Sequence, residues 1–468
     1  MAENDLQDTD DEIDTRQGIG KFRRWFREAV DKADVWRKEA EQDYDFVAGK
    51  QWTEADKHKL EQSGRPAITI NRIKPLINVL SGYQRLNRYD IDFLPRTSDD
   101  IDICTVRKGI TKYVLDACGY DNEESQAFLD AAIGGLGWME VGYKVNDDMT
   151  DGEAFVKRQD PFGIYVDPES HETDFSDAKY VCRAKWVDKD ELEEVYPEHA
   201  DAIEAQYEVY DTAEKTGGRE ADDPLWYKRD LQKVRLVECW YKVKQPRTLY
   251  LLTNGQTVGQ EDMRPEYLMN GFVEGYQTVK ATRVRVASFF DRVLLEDMDS
   301  PYQHGEIPFV PITCYYYGTG DVPAGFVRDL KDPQREINKR RIQTLHILNT
   351  SGNGGGWMEA DAMDPKQKED FRKNGNIPGH FSEVRPGALS GGKVQERAIQ
   401  NPPAAVIQAE SQATQDLTAI SGINEALMGT DIPSSASGRA IELKQKQAIT
   451  HIAPMFDQLR KAKKKIAY

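Results

Sequence analysis

Residue types able to do chemistry are present in this chain, but their spacing selects none of the familiar reactions. The run Ser351-Gly352-Asn353-Gly354-Gly355-Gly356 has the glycine density of a phosphate loop, in which backbone N–H groups wrap an anion at the start of a helix. No Lys-Ser or Lys-Thr pair follows it, and it succeeds a helical pattern instead of opening one, so it reads as a turn. Gly318-Thr319-Gly320 lacks the third glycine and the strand-to-helix setting of a dinucleotide fingerprint. The seven histidines (His58, His171, His199, His304, His346, His380 and His451) are too far apart for a helical ligand pair. His171 and Asp174 offer only two metal donors in an acidic turn, which reads as solvated surface. Neither G-x-S-x-G nor H-E-x-x-H occurs. Acidic neighbours such as Asp99-Asp100 and Asp147-Asp148 arise readily among 80 carboxylates and define no acid/base pair. The residues therefore predict a protein that is not an enzyme, with no catalytic residue, metal or cofactor. A hydrolase or nuclease built on carboxylates and a metal is the alternative from the enzyme class.

Basic clusters are few. Lys339-Arg340-Arg341 lies on a helical pattern, Lys461, Lys463, Lys464 and Lys465 sit near the C-terminal end, and Arg23-Arg24 falls in the first helix. Each reads by default as a solvated helix face, and aromatics do not interleave with them as single-strand binding requires. The net charge is -18, from 62 basic and 80 acidic residues, with a pI near 5.0 and a mean hydropathy of -0.69. Tight binding of duplex DNA by phosphate neutralisation needs the opposite balance. Five cysteines, Cys104, Cys118, Cys182, Cys239 and Cys314, are odd in number and contain no C-x-x-C pair, so they read as buried thiols. The acidic start has no signal-peptide pattern and no apolar run reaches the length of a membrane span. These features predict a soluble protein with no membrane partner.

The elements that would carry these residues alternate in type. Residues 1–15 are acidic and read as a disordered tail. Phe22, Trp25, Phe26, Ala29, Ala33, Trp36, Ala40 and Tyr44 recur every three or four residues, a helix with an aromatic packing stripe that ends at Gly49. A turn follows at Gly64-Arg65-Pro66, then a short strand on Ile68 and Ile70, a helix from Arg72 to Leu86, and a helix from about Asp99 to Ala117 with an apolar face on Ile103, Val106, Ile110 and Val114. A short helix ends at Gly134-Gly135. From Gly137 to about Val322 the pattern is one of strands, interrupted by a helix around Lys189 to Gln206 and a polar loop from about Thr212 to Asp223. Asp332-Pro333 opens a helix by supplying an N-cap and a proline at the first helical position. A compact insert has another start at Asp364-Pro365 and a strand-like run from Ile377 to Val384. Asn401-Pro402 opens the next helix, closed by Gly422, and the small-residue loop through Ser434-Ser435-Ala436-Ser437 leads into a long helix kinked at Pro454. The length of 468 residues is enough for several domains or one large one, and the fold class is α+β.

Four stretches, taken in this order, resemble the portal protein, or head-to-tail connector, of tailed double-stranded DNA bacteriophages, in particular the short-tailed podovirus-type branch. They are Phe46-Val47-Ala48-Gly49-Lys50-Gln51-Trp52 with Gly64-Arg65-Pro66 and Asn71-Arg72-Ile73; Asn87-Arg88 before Ile91 to Pro95; Asp332-Pro333-Gln334-Arg335-Glu336-Ile337-Asn338-Lys339-Arg340; and Ala436-Ser437-Gly438-Arg439-Ala440-Ile441. The resemblance implies an elongated subunit with residues 16–330 as a mixed α/β wing, 331–350 and 402–421 as stem helices, 351–401 as a clip, 422–437 as a channel loop and 438–468 as a backbone helix returning to the wing. It implies a dodecameric ring at one capsid vertex, through which duplex DNA is packaged and ejected. Its implied partners are terminase, the major capsid and scaffolding proteins and a tail adaptor, with assembly in the bacterial host cytoplasm and residence in the virion. Relatives of this branch usually continue past the long helix into more wing, a crown and sometimes a helical barrel, whereas this sequence stops at Tyr468; the resemblance therefore implies either a shortened form without that region or a part of a longer protein. A tube that lets duplex slide should avoid a deep electrostatic well, so the channel candidates are sparse: Lys339, Arg340 and Arg341 on the helix, and Thr430, Asp431, Ser434 and Ser435 in the loop. Another structural virion protein, of the tail or adaptor, is the remaining alternative.

Overall fold

The computed structural model describes residues 4–145, 152–216, 225–228, 231, 233–253, 255–259, 263–264, 272–302, 304–316, 322–352, 356–374, 380–396, 404–423 and 438–468. Side chains of 4–17, 210–216, 350–352, 356, 394, 396, 438–449 and 451 are not among those described. The chain is of α+β class and divides into two compact units, one of residues 1–41, 81–326 and 453–468, the other of 42–80 and 327–452.

In the first unit the aromatic stripe of α1 (Asn4–Ala48) is a packing face. Phe22, Phe26, Ala29, Trp36 and Ala40 are buried, and the Trp25 ring stacks on Tyr180 at 4.6 Å while the Tyr180 hydroxyl donates to the Trp25 carbonyl at 3.0 Å. The helix begins at Asn4, so the acidic stretch expected to be a disordered tail is carried as helix. Carboxylates are favoured at a helix N-terminus by the macrodipole, which opposes the disorder-promoting effect of like charge.

The wall against which α1 packs is an antiparallel sheet. It contains β3 (Ile164–Val166), β4 (Tyr180–Asp188), β5 (Tyr227–Lys228), β6 (Lys233–Leu252), β7 (Thr257–Gly259), β8 (Val273–Phe290) and β9 (Val293–Asp299). Its order is β3-β4-β6-β8-β9, with β5 and β7 also on β6. Phe22 and Phe26 meet Tyr165, Trp226, Tyr241 and Phe289 in its core. A smaller sheet has β1 (Leu136–Val145) between β10 (Phe309–Thr313) and β2 (Gly152–Gln159). Helix α5 (Tyr120–Gly134) lies against it at backbone distance. A Cβ at Gly137 would stand 1.9 Å from the Ala127 carbonyl oxygen, and one at Gly325 would stand 2.0 Å from that of Ile133, so only glycine permits the approach.

Two expectations for this unit change. The helix expected around 189–206 is two, α6 (Lys189–Val195) and α7 (Ala200–Thr216), because Pro197 interrupts the backbone ladder between them. Helix α4 (Ile101–Ala117) forms as the periodicity predicts, but Ile103, Val106 and Ile110 are more than half exposed, so the apolar face is not a core face within one chain.

In the second unit, α2 (Glu54–Gln62) is capped by Thr53, which accepts from the Asp56 N–H. The first half of α3 (Ile73–Leu86) follows, then α8 (Lys331–Gly352), the insert, α10 (Ala404–Ser421) and the start of α11 (Gly438–Ile466). The insert holds β11 (Gly356–Met358) paired with β12 (Val394–Glu396), and α9 (Pro365–Asn374) begins at the expected proline. Residues 380–384 of the strand-like run are not a strand. Their neighbours are tied by side chains instead, with Arg385 bound to Asp364 at 2.5 Å and Gln367 Nε2 donating to Glu383 at 3.2 Å. Residues 377–379 of that run, and most of the expected loops at 212–223 and 422–437, lie outside the described residues. Helix α11 continues through Pro454.

Candidate nucleic-acid interface

Helix α8 carries the basic cluster, and its inner face explains why its sequence is polar where a core helix should be apolar. Gln334 and Asn338 are fully buried, one turn apart, and they serve as a substitute strand for the segment before α3. Gln334 Nε2 donates to the Ile70 carbonyl at 2.6 Å, Arg72 N–H donates to Gln334 Oε1 at 3.0 Å, and Ile70 N–H donates to Asn338 Oδ1 at 2.9 Å. The expected strand at Ile68 and Ile70 is therefore absent. Its backbone groups are satisfied by amide side chains 262 to 268 residues away and by Trp52, whose Nε1 donates to the Ile68 carbonyl at 3.1 Å. Asn338 Nδ2 continues the network to Gln51 Oε1 at 2.6 Å, and Gln51 Nε2 donates to the Phe46 carbonyl at 3.0 Å. Asn71 bridges the Val47 carbonyl and the first turn of α3 through the Lys74 N–H. Buried amides joined this fully are strongly specifying, because leaving any one unpaired costs its full desolvation.

The start of α8 is fixed by charge. Asp43 is fully buried between Arg328 Nη2 at 3.1 Å and Lys331 Nζ at 2.9 Å. Burial pushes its carboxyl above the usual range, opposed by both cations. Farther along, Arg335 lies over the Phe46 ring at 4.8 Å.

The three basic residues predicted from the sequence divide here into different roles. Arg341 pairs with the mostly buried Glu410 of α10 at 2.9 Å, joining the two helices. Arg340 pairs with Glu336 at 2.9 Å along its own helix. Lys339 is exposed and, among the described residues, has no ion-pair partner. Lys339 and Arg340 line a cavity of about 570 Å³ together with Trp52, Lys59 and Arg65. The structure thus adds Lys59 and Arg65 to the predicted cluster. Their signal in the sequence was weak, being a lysine on a short polar helix and an arginine inside a Gly-Arg-Pro turn. Thr430, Asp431, Ser434 and Ser435 lie outside the described residues.

The buried amide network unites three of the segments singled out in the sequence: 46–52, 71–73 and 332–340. The family model described as phage P22-like portal protein matches residues 23–468, which takes in all of them. The chain belongs to the P22-like portal protein family. No curated protein matches it in sequence. That family is one of structural proteins, not enzymes, and membership indicates a component of the virion capsid. Membership implies a homo-oligomeric complex at a capsid vertex. Among the described residues, no helix is long and apolar enough to cross a membrane.

Proposed function

We propose that this chain is the subunit of a dodecameric portal ring, which forms the channel for DNA packaging and ejection and the platform on which terminase and a tail adaptor dock. Capsid and scaffolding proteins would hold its outer surface. The observation that carries this reading is the second unit's order of helix, small insert and helix, in a chain whose family match spans nearly its whole length. In this reading 331–350 and 402–421 are the stem helices, 351–401 is the clip, 422–437 the channel loop, and 438–468 the helix returning to a wing of residues 16–330. At 22 residues, α8 would span about 33 Å of channel wall. The Arg341–Glu410 pair would keep the two stem helices in register.

Contact with DNA falls first to Lys339, which has no ion-pair partner among the described residues, then to Arg340, paired only with the exposed Glu336 of its own helix, while Arg341 is taken up by Glu410 of α10; Thr430, Asp431, Ser434 and Ser435 would add contacts from the loop. So few cations suit a conduit: each phosphate neutralised adds affinity, and affinity resists sliding. Mass photometry of the purified chain tests the assembly. A discrete species near twelve times the 53.3 kDa subunit mass is expected, and a monomer that persists at high concentration would contradict the proposal.

A further inference from the structure

We propose that the cavity between α2 and α8 is a binding site for the phosphate groups of a nucleotide, either free or within a DNA strand. The proposal deepens the DNA-contact reading of Lys339 and Arg340. It also names residues which that reading does not, and it is tested apart from ring formation.

Three observations converge. The first is charge. In a chain with 80 acidic residues against 62 basic ones, this cavity is lined by Lys59, Arg65, Lys339 and Arg340 and by a single carboxylate, Asp56. That carboxylate is already engaged, accepting from the Thr53 hydroxyl at 2.8 Å at the start of α2. The second is pairing. Arg340 is held by Glu336, but Lys59, Arg65 and Lys339 have no ion-pair partner among the described residues, and Arg65 Nε is out of contact with water without a hydrogen bond. Cations gathered around one cavity add their fields there and attract an anion more strongly than any one of them alone. The third is shape and surface. The half-buried indole of Trp52 forms part of the wall beside these cations, and the volume of about 570 Å³ falls within the range of small-molecule sites. Several cations from different segments suit a phosphate, which presents more acceptor oxygens and more charge than a carboxylate. An adjacent indole gives an attached base a face to stack on.

The test uses the full chain with two probes, pyrophosphate by calorimetry and a labelled single-stranded oligonucleotide by fluorescence anisotropy. Variants are Lys339→Gln alone, Lys59→Gln with Arg65→Gln and Lys339→Gln, and, as a control, Lys373→Gln on an exposed face of α9 that does not line the cavity. The triple variant should lose about tenfold or more in affinity, and the salt dependence should flatten by about one unit of slope for each phosphate contact removed. Lys339→Gln, on an exposed and unpaired side chain, retains the fold and should show part of that loss, and Lys373→Gln none. Pyrophosphate that displaces the oligonucleotide identifies a strand as the source of phosphate; pyrophosphate binding without oligonucleotide binding identifies free nucleotides. Neither probe binding the parent chain, or all variants binding alike, overturns the inference. Electron microscopy of the same samples separates the two proposals, because rings that ignore phosphate would overturn this inference and leave the portal reading standing.

Discussion

Lys463 near the end of α11 is the residue whose removal should be felt most sharply. Its ammonium lies 3.0 Å from Glu124 Oε1, with side-chain exposures of 9% and 0%, and donates to the Tyr89 carbonyl at 2.9 Å. Burial pushes the Glu124 carboxyl above its ordinary range, opposed chiefly by Lys463. At this separation the attraction is about 5 kcal/mol at an effective dielectric of 20, most of it offsetting the desolvation of the two charges. Replacing Lys463 by Met keeps the stem's packing and strands the carboxylate, at a cost of about 3–5 kcal/mol. For a unit of this size that corresponds to roughly 6–10 °C in Tm, at the low end of the usual conversion.

Thermal unfolding at pH 8 and fixed protein concentration measures it, and adding Glu124→Gln to Lys463→Met should recover at least half of the loss by removing the stranded charge. The sign of the pH dependence follows from the raised pKa. The favourable contribution of a protonated Glu124 is fully present below 4.5 and is lost as pH rises through the folded value, so with the opposing cation gone the Lys463→Met deficit should grow as the pH is raised above 4.5. A single variant within about 1 kcal/mol of the parent, the range of a solvated surface pair, would refute the reasoning, as would a double variant no better than the single.

Gly325→Ala should cost about 3 kcal/mol or more, at the upper end of overpacking penalties, because the new methyl meets the Ile133 carbonyl oxygen at 2.0 Å; denaturant unfolding reads it. A double-mutant cycle on Arg341 and Glu410 should give a coupling of about 0.5–1 kcal/mol, as for a partly exposed pair, whereas Lys339→Gln should leave stability unchanged. His304 Nδ1 accepts from the Glu306 N–H at 3.0 Å, and burial holds the imidazole pKa below 6.5. Its contribution is therefore present above 6.5 and lost as pH falls through the folded value, and His304→Asn, which keeps an acceptor but does not titrate, should flatten that part of the pH–stability profile.

What could be read from the sequence was whatever repeats locally. The stripe Phe22, Phe26, Ala29, Trp36 and Ala40 announces both the helix and its buried face, and the strand pattern from Gly137 to about Val322 follows from β-branched and aromatic residues between turns. The Asp364-Pro365 start and the Gly422 stop were legible because caps act on their own neighbours. What was hidden depends on partners distant in the chain. Ile68 and Ile70 alternate like a strand, but Gln334 and Asn338 take their hydrogen bonds. Ile103, Val106 and Ile110 repeat like a core face yet remain exposed in a single chain, and periodicity does not say against what a face packs. Lys339, Arg340 and Arg341 are indistinguishable as a sequence run, and only the position of Glu410 separates the helix-joining arginine from the pair at the cavity.

In the proposed assembly this portal-family chain closes into a ring around a DNA-sized hole. Cryo-electron microscopy of the purified chain, with the symmetry taken from end-on views and the helices traced in the reconstruction, tests it most directly. Twelvefold symmetry is expected, with α8 and α10 lining the hole and the 351–401 clip at one end of it. Open filaments, persistent monomers, or a ring whose hole is lined by the β6–β8 sheet instead would contradict it.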